Sequence, residues 1–208
     1  MVKVKICGIT NIEDARLAVD LGAEMLGFNF YEKSPRYIAP QEALRVIDDL
    51  PETVENIGVF VNMEYYRIDE YVDLVGLDGV QLHGDEDEDF VSNLRQYTDA
   101  KILKAFRVGP GFSVETIKDS TADSILLDAF AKEHYGGTGQ RFEWNIAADA
   151  VKLRPELVLA GGLTPENVAE GVRKVLPYAV DVASGVESAP GRKDSGKLEA
   201  FIRNAKKA

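Results

Sequence analysis

Short apolar and β-branched runs recur along the chain at nearly regular intervals, and this spacing constrains the fold more than any other feature. The starts of successive runs are separated by 21, 31, 23, 22, 23, 33 and 22 residues. A strand, a loop, a helix and a second loop occupy roughly that length, so eight such units account for the whole chain. The runs are Val4–Cys7, Met25–Phe30, Asn56–Val61, Gly79–His83, Lys101–Phe106, Ser124–Asp128, Leu157–Ala160 and Ala179–Val182.

Eight strand-then-helix units favour an α/β fold of the closed (β/α)8 type, the TIM barrel. An open, doubly wound sheet of eight strands is the alternative. No glycine-rich dinucleotide-binding turn follows the first strand, where an open nucleotide-binding sheet would carry it. Because the chain of 208 residues has no low-complexity linker, we predict one barrel domain over residues 1–208.

Helix-start signals lie between the strand-like runs. Asn11 offers a side-chain cap to a first helix, and Pro40 stands near the first position of a second. Thr164-Pro165 repeats this pattern, with a hydroxyl cap before the proline. The segment 195–208 is typical of a closing helix, with lysines near its C-terminal end where they suit the helix dipole.

Two conspicuous polar features are interpreted as having no role in chemistry. The acidic run at residues 85–89 is predicted to be the charged first turn of the fourth helix. Consecutive carboxylates splay around a helix, which argues against a metal site there. His134 lies in a loop without an evident partner and is predicted to be solvated.

Charge and cysteine content exclude several classes of function. Lys+Arg 24 against Asp+Glu 35 gives a net charge of −11, which works against non-specific binding to nucleic acid or anionic membranes. A single cysteine, Cys7, excludes an internal disulfide framework. The N-terminus runs directly into a strand-like pattern, and no apolar run has the length of a signal peptide or a membrane span. We therefore expect a soluble, cytoplasmic protein with no nucleic-acid or membrane partner.

Small residues at the last two strand ends predict a phosphate site. Gly161-Gly162 follow the seventh strand and Ser184-Gly185 follow the eighth. In (β/α)8 barrels the backbone amides of these two loops converge on phosphate, and glycine lets the oxygens approach closely. Either pair alone would be an ordinary turn. The loop after strand six, Tyr135-Gly-Gly-Thr-Gly-Gln140, lies at the same rim.

Cys7 and Asp128 are the candidate acid–base residues. Side chains alternate along a strand, so Cys7 and Lys5 point into the barrel if the intervening apolar residues face the helices. A thiol there is either a small buried hydrophobe or a base whose pKa is lowered by cations or helix ends. Asp128 follows a buried apolar run and is either a loop cap or a catalytic acid. Strands one and six lie nearly opposite in a ring of eight, so the pair could act on two faces of one ligand, as a proton-transfer isomerisation requires.

Four other polar residues lie at predicted strand ends or in the loops that follow them. Arg36 could clamp a carboxylate through its planar guanidinium, although a lone arginine is usually a surface residue. Asp181 on strand eight either pairs with Lys5 on strand one or accepts a hydrogen bond from a sugar hydroxyl. Gln81 and His83 end the fourth strand and belong to the same rim.

Several motifs, in order along essentially the whole chain, resemble the phosphoribosylanthranilate isomerase family. They are Lys5-Ile-Cys-Gly-Ile-Thr10, Gly27-Phe28, Ser34-Pro-Arg-Tyr37, Val80-Gln-Leu-His-Gly84, Leu127-Asp128, Gly136-Gly-Thr-Gly139 with Phe142 and Trp144, Ala160-Gly-Gly-Leu-Thr-Pro-Glu-Asn-Val168 and Asp181-Val-Ala-Ser-Gly-Val-Glu187. The resemblance implies a barrel enzyme of tryptophan biosynthesis. It would convert N-(5-phosphoribosyl)anthranilate into 1-(2-carboxyphenylamino)-1-deoxyribulose 5-phosphate by an Amadori rearrangement, without cofactor or metal, as a monomer or a homodimer.

The resemblance also implies residue roles. Cys7 matches the family's general base, Asp128 its general acid, and Arg36 the residue that faces the anthranilate carboxylate. We expect the remaining substrate contacts from Gln81, His83 and Asp181, and the phosphate contacts from Gly161, Gly162, Ser184 and Gly185. The chain departs from the family where Ala160, Ala183 and Thr138 replace frequent serines and Glu32 replaces a frequent proline. These departures affect side-chain contacts to the phosphate and leave the backbone amides in place.

Three other functions compete with this interpretation. The related isomerase of histidine biosynthesis would be expected to carry an aspartate where this chain has Cys7. An indole-glycerol phosphate synthase would need a set of catalytic lysines at the rim, and the sequence does not provide it. A barrel that binds its ligand without turnover would not need the pair Cys7 and Asp128.

Overall fold

Eight parallel strands close into a barrel in the computed structural model, which describes residues 1–129 and 143–208. The strands follow one another around the ring in chain order, and β1 pairs with β8 to close it. This confirms the predicted (β/α)8 fold, and the alternative of an open sheet is wrong. The strands are β1 (Lys3–Cys7), β2 (Met25–Asn29), β3 (Glu55–Phe60), β4 (Gly79–Leu82), β5 (Lys101–Val108), β6 (Ser124–Ala129), β7 (Leu157–Leu159) and β8 (Ala179–Val182).

Within the described residues, seven α-helices surround the barrel. They are α1 (Ile12–Asp20), α2 (Pro40–Ile47), α3 (Tyr65–Val75), α4 (Glu88–Leu94), α5 (Trp144–Leu153), α6 (Val168–Val175) and α7 (Ser195–Lys206). Asn11 caps α1 by accepting a hydrogen bond from the Asp14 amide, and Pro40 starts α2, as predicted. None of the helices in residues 1–129 and 143–208 is long and apolar enough to cross a membrane.

The alternation of side chains separates two apolar layers. Outward-facing residues such as Val4, Ile6 and Phe28 are buried against the helices. Inward-facing residues such as Met25 and Leu126 fill the lower part of the barrel. The strands are buried on both faces, as parallel sheets require, so polar residues can only face inward where they find partners.

The fifth βα connection differs from the predicted pattern, because a 3₁₀ helix (Val114–Ile117) takes the place of an α-helix. The segment opens with Gly109-Pro-Gly111, and both residue types disfavour a helix interior. Arg154, at the end of α5, donates hydrogen bonds of 2.6 Å to the carbonyls of Ser120 and Ala122. This side chain fastens the irregular segment to the helix layer.

The predicted start of α6 at Thr164 is wrong, because the helix begins at Val168. The Thr164 amide donates to the Asn167 side-chain oxygen at 2.9 Å, and the Asn167 side-chain amide donates to the Gly162 carbonyl at 2.9 Å. These two bonds hold residues 162–167 as a loop. The same segment therefore shapes the rim after β7.

The acidic run at residues 85–89 divides between two environments, so the prediction that all of it forms a helix turn is wrong. Asp87 caps α4, and only Glu88 and Asp89 lie in its first turn. Glu86 precedes the helix and is buried, with its carboxylate 2.8 Å from Lys104. It also accepts backbone hydrogen bonds from Asn62 and Gly84, so it organises the loop after β4.

A small hairpin after β8 was not predicted. A 3₁₀ helix (Ser184–Val186) leads into β9 (Glu187–Ala189), which pairs antiparallel with β10 (Arg192–Lys193). The Lys193 amide donates to the Asp14 carboxylate at 2.9 Å, which fixes the hairpin to the start of α1. The hairpin thus lies beside the end of β1.

Candidate active site

One cavity of about 750 Å³ opens at the carboxyl ends of the strands. Every residue predicted as a site residue lines it: Cys7, Arg36, Gln81, His83, Asp128, Gly161, Gly162, Asp181, Ser184 and Gly185. The predicted rim loop 135–140, together with His134 and Thr138, lies outside the described residues. The cavity has the size and position of a small-molecule site in a (β/α)8 barrel.

Cys7 and Lys5 point into the barrel, as strand alternation predicted. The Lys5 side chain is completely buried, and its ammonium lies 2.8 Å from Asp181 Oδ1. The predicted pairing of Lys5 with Asp181 is therefore present. Burial disfavours the charge of Lys5, but its interactions with Asp181 and Cys7 more than compensate, and the pKa of Lys5 is raised.

Burial and the neighbouring lysines act on the pKa of Cys7 in opposite directions. Burial raises the pKa of its thiol above the ordinary value, the nearby Lys5 and Lys193 act in the opposite direction, and Asp181 adds to the increase. Cations therefore surround the thiol as anticipated, but burial outweighs them. The net pKa of Cys7 is therefore raised, although a thiol with a pKa lowered by cations was one of the two alternatives left open by the sequence.

A chain of hydrogen bonds joins the Lys5–Asp181 pair to Asp128 across the cavity floor. Lys5 Nζ donates to Gln81 Oε1 at 2.9 Å, and Gln81 Nε2 lies 2.7 Å from His83 Nδ1. His83 Nε2 lies 3.3 Å from Asp128 Oδ2, and Asp128 Oδ1 accepts the Ala129 amide at 2.8 Å. The buried polar groups of β1, β4, β6 and β8 thereby satisfy one another.

Sequence reasoning missed Glu187 and Lys193, which the hairpin brings to the site. Arg36 forms a bidentate pair with Glu187, with Nε 2.9 Å from Oε1 and Nη2 2.7 Å from Oε2. The buried Lys193 ammonium donates to the Cys7 carbonyl at 2.6 Å and to Glu187 Oε1 at 3.1 Å. Glu187 therefore connects the proposed carboxylate clamp to the backbone of Cys7. Glu187 ends the motif that begins on β8 but was given no role, and no local signal in the sequence marked Lys193.

These contacts shift the pKa values of both missed residues. Burial alone would raise the pKa of Glu187, but the hydrogen bonds and charges of Arg36 and Lys193 hold it below its ordinary value. Burial lowers the pKa of Lys193, although Glu187 and Cys7 partly oppose the change. Burial thus makes the charged form of Lys193 less favourable, and this lysine lies next to the candidate base.

Gly27 is a further site residue that sequence reasoning did not assign a role. It is the register partner of Cys7 on β2. A Cβ at this position would lie 2.7 Å from Cys7 Sγ and 3.0 Å from Lys5 Nζ. The absence of a side chain at Gly27 therefore makes the room that the thiol and the ammonium occupy. Its role depends on the register of β2 against β1, which the sheet pairing shows and the sequence does not.

The two predicted phosphate loops meet at the rim. Gly161 and Gly162 both have positive φ, at 80° and 65°. A Cβ on Gly185 would lie 2.0 Å from the Leu163 carbonyl oxygen, so the loops after β7 and β8 touch where no side chain fits. The prediction that these segments come together is confirmed, and both loops line the cavity.

The fold and the site together define a (β/α)8-barrel enzyme whose pocket combines a thiol, a carboxyl group, cations and glycine loops at the carboxyl-terminal rim. Residues 4–204 match the family model described as N-(5'phosphoribosyl)anthranilate (PRA) isomerase. The chain belongs to this family.

Individual relatives agree with this assignment. The N-(5'-phosphoribosyl)anthranilate isomerase of Trichlorobacter lovleyi is 51% identical over 208 residues, covering 100% of both chains. A structure of monomers generated from the dimeric phosphoribosylanthranilate isomerase of Thermotoga maritima is 41% identical, with a TM-score of 0.89 and full coverage of both chains. A phosphoribosyl anthranilate isomerase in complex with reduced 1-(o-carboxyphenylamino)-1-deoxyribulose 5-phosphate has the same identity, TM-score and coverage.

Proposed function

We propose that residues 1–208 form one barrel domain that isomerises N-(5′-phosphoribosyl)anthranilate with Cys7 as general base and Asp128 as general acid. The reaction itself, a step of tryptophan biosynthesis, follows from membership of the family. The assignment of the acid and the base rests chiefly on one observation: Cys7 on β1 and Asp128 on β6 line the same cavity from separate parts of the ring. A ligand between them has a proton donor on one side and an acceptor on the other.

The first step of the proposed mechanism is ring opening. Protonated Asp128 donates its proton to the furanose ring oxygen, the C1′–O bond breaks, and the nitrogen lone pair forms an iminium with C1′. The iminium acidifies the hydrogen on C2′. Asp128 ends this step as a carboxylate.

In the second step the Cys7 thiolate removes the proton from C2′, and the electron pair neutralises the iminium to give an enolamine. Tautomerisation of the enolamine at C1′ then yields the ketone product. The hydrogen shift is internal and no net electrons are transferred, so the chemistry itself requires neither a redox group nor a Lewis acid.

The substrate supplies a charge that Cys7 needs. Burial holds the thiol in its protonated form, and Lys5 and Lys193 only partly oppose this effect. An iminium formed beside Cys7 adds a third positive charge in a low-dielectric pocket, where opposite charges attract strongly. In the proposed mechanism Cys7 therefore ionises as the ring opens, and its proton leaves to solvent through the open end of the cavity.

The two anionic ends of the substrate are assigned to different loops. We place the phosphate against Gly161, Gly162, Ser184 and Gly185, whose backbone reaches the cavity without interfering side chains. Arg36 faces the anthranilate carboxylate. Among the described residues its bonds to Glu187 use Nε and Nη2, which leaves Nη1 for a ligand. Gln81, His83 and Asp181 are proposed as the polar floor beneath the ribose.

Two finer assignments are also proposals. A phosphorylated substrate does not cross membranes readily, which supports a location in the cytoplasm, where such metabolites are made. The dimeric Thermotoga maritima relative supports a homodimer, and a monomer is the alternative. Size-exclusion chromatography with light scattering separates the two.

The function is tested by following the loss of substrate fluorescence at pH 7–8 with three variants and the unmodified chain. Cys7→Ser lowers kcat by about 10²–10⁴, the usual scale for a general base. Asp128→Asn abolishes turnover but retains binding of the reduced product, because the amide keeps the shape. The exposed Asp119→Asn is the control for charge and stays within about twofold. Turnover by Cys7→Ser at the control's rate would remove Cys7 from the mechanism, and loss of product binding in Asp128→Asn would make Asp128 mainly structural.

A further inference from the structure

We propose that Gln81 is a positioning residue that holds His83 neutral, with its proton on Nε2, so that the transferable proton of the His83–Asp128 pair resides on Asp128. The proposal deepens the proposed function and rests on the role of Asp128 as general acid. The supporting observations are the donor and acceptor roles in three consecutive hydrogen bonds, from Lys5 through Gln81 and His83 to Asp128.

Lys5 fixes the orientation of the Gln81 side chain. A lysine ammonium has only donors, so the Gln81 atom at 2.9 Å from Lys5 Nζ must be the carbonyl oxygen. The side-chain NH₂ group then faces the other way. Gln81 is 1% exposed and Lys5 is completely buried, so water does not compete for these groups. The donor-only chemistry of the ammonium therefore fixes the orientation of the Gln81 amide.

The oriented amide selects one tautomer of His83. Gln81 Nε2 carries only hydrogens to donate and lies 2.7 Å from His83 Nδ1. Nδ1 must accept this bond, so it carries no proton. A neutral imidazole has one N–H, which must then be on Nε2 and points to Asp128 Oδ2 at 3.3 Å.

The same contact excludes the imidazolium. A proton on Nδ1 would face the Gln81 N–H at hydrogen-bond distance, with donor against donor in a buried site. In an unrestrained histidine–aspartate pair the proton resides on the histidine, since the ordinary pKa values are about 6.5 and 3.9. Here the next proton has to go to the carboxyl group. Asp128 has about four lone-pair positions, of which His83 and the Ala129 amide use two, which leaves room for a proton and for a substrate oxygen.

The surrounding charges do not replace Gln81 in this role. Among the described residues, Asp128 on β6 is the acidic group bonded to His83, and Asp181 on β8 is bonded to Lys5. Cys7 on β1 contacts the same lysine. On the other side, Arg107 on β5 pairs with Asp85, and Lys104 pairs with Glu86. Each of these groups already has a partner: an oppositely charged side chain or, for Asp128, the N–H of His83.

The test is the state of the two imidazole nitrogens, measured by long-range ¹H–¹⁵N correlation on the full chain labelled with ¹⁵N-histidine. The chain has two histidines, so the second, His134, serves as an internal reference. In the unmodified protein we expect His83 to have a protonated Nε2 and an unprotonated Nδ1 at pH 7, and to keep that pattern as the pH is lowered to about 5.

Gln81→Glu reverses the donor. A carboxylate at this position accepts from Lys5 and also from a protonated Nδ1, so both nitrogens of His83 should be protonated at pH 7. Asp128 then loses its proton to His83, and kcat should fall by about 10²-fold. Gln81→Met, which brings no charge, should let His83 gain its second proton at a higher pH than in the unmodified protein. This variant keeps the test decisive if the buried carboxylate impairs folding.

Three results would overturn the proposal: an Nδ1-protonated His83 in the unmodified protein, a neutral His83 in both variants, or an unchanged kcat in a Gln81→Glu variant whose His83 has become charged. The nitrogen signals do not depend on turnover. An error in the proposed function appears as inactivity of the unmodified chain, whereas an error in this inference appears in the ring nitrogens.

Discussion

Gly27→Ala tests whether the space beside Cys7 is part of the catalytic apparatus. The new Cβ would lie 2.7 Å from Cys7 Sγ and 3.0 Å from Lys5 Nζ, whereas ordinary non-bonded contacts are about 3.5–4.0 Å. The thiol must therefore move by about 1 Å. A misplacement of that size costs roughly 10²-fold in rate, and overpacking a core costs about 1–3 kcal/mol of stability.

We expect kcat of Gly27→Ala to fall about 10²-fold while the protein remains folded. Gly58→Ala is the matched control. Gly58 lies on the neighbouring strand β3, and its Cβ would lie 2.6 Å from Leu77 Cδ1 and 2.7 Å from Phe60 Cε2, within the outer core. This variant should lose a similar amount of stability but keep kcat within about twofold.

The assay combines steady-state kinetics with urea unfolding for both variants. A folded Gly27→Ala protein with wild-type kcat would show that the position of the thiol tolerates a 1 Å shift, and the reasoning would fail. An equal loss of kcat in Gly58→Ala would assign the effect to general destabilisation instead of to Cys7.

Two further predictions concern Arg36 and Glu187. Arg36→Met should raise KM for the substrate while the affinity for inorganic phosphate, measured by calorimetry, stays nearly unchanged; a selective loss of phosphate binding would reverse the assignment of the two anionic ends. The pKa of Glu187 is lower in the folded state than its unfolded value of about 4.3, so its ionised form contributes stability that is present above that value and is lost as the pH falls through the folded pKa. Glu187→Gln should therefore be less stable at pH 7 and lose less stability between about pH 5 and pH 3, as measured by urea unfolding; a profile that changes no more than that of the exposed Glu52→Gln would refute this.

The periodicity of the sequence favoured the barrel. Eight apolar runs at regular intervals leave few ways to bury every strand on both faces, and the pattern left an open sheet as the alternative to the closed ring. Strand alternation placed Lys5 and Cys7 inside, and the C-terminal-rim rule for barrels placed Asp128, Gly161 and Ser184 at one site. The roles of Cys7 and Asp128, by contrast, came from family resemblance, because a buried thiol and a strand-end carboxyl group each have ordinary structural explanations.

Only the tertiary structure decided how the site residues depend on one another. Gln81 and His83 belong to the end of β4, and Asp128 lies on β6. Their side chains meet only in the packed barrel, so no spacing in the sequence indicated their hydrogen-bond chain. Glu187 and Lys193 reach the site because a hairpin folds back over the end of β1. The sequence alone determined which elements form and which faces they bury, since both follow from local periodicity. The protonation of Cys7 and the orientation of Gln81 depend on burial and on charges from residues far apart in the chain, and these exist only after the barrel has closed.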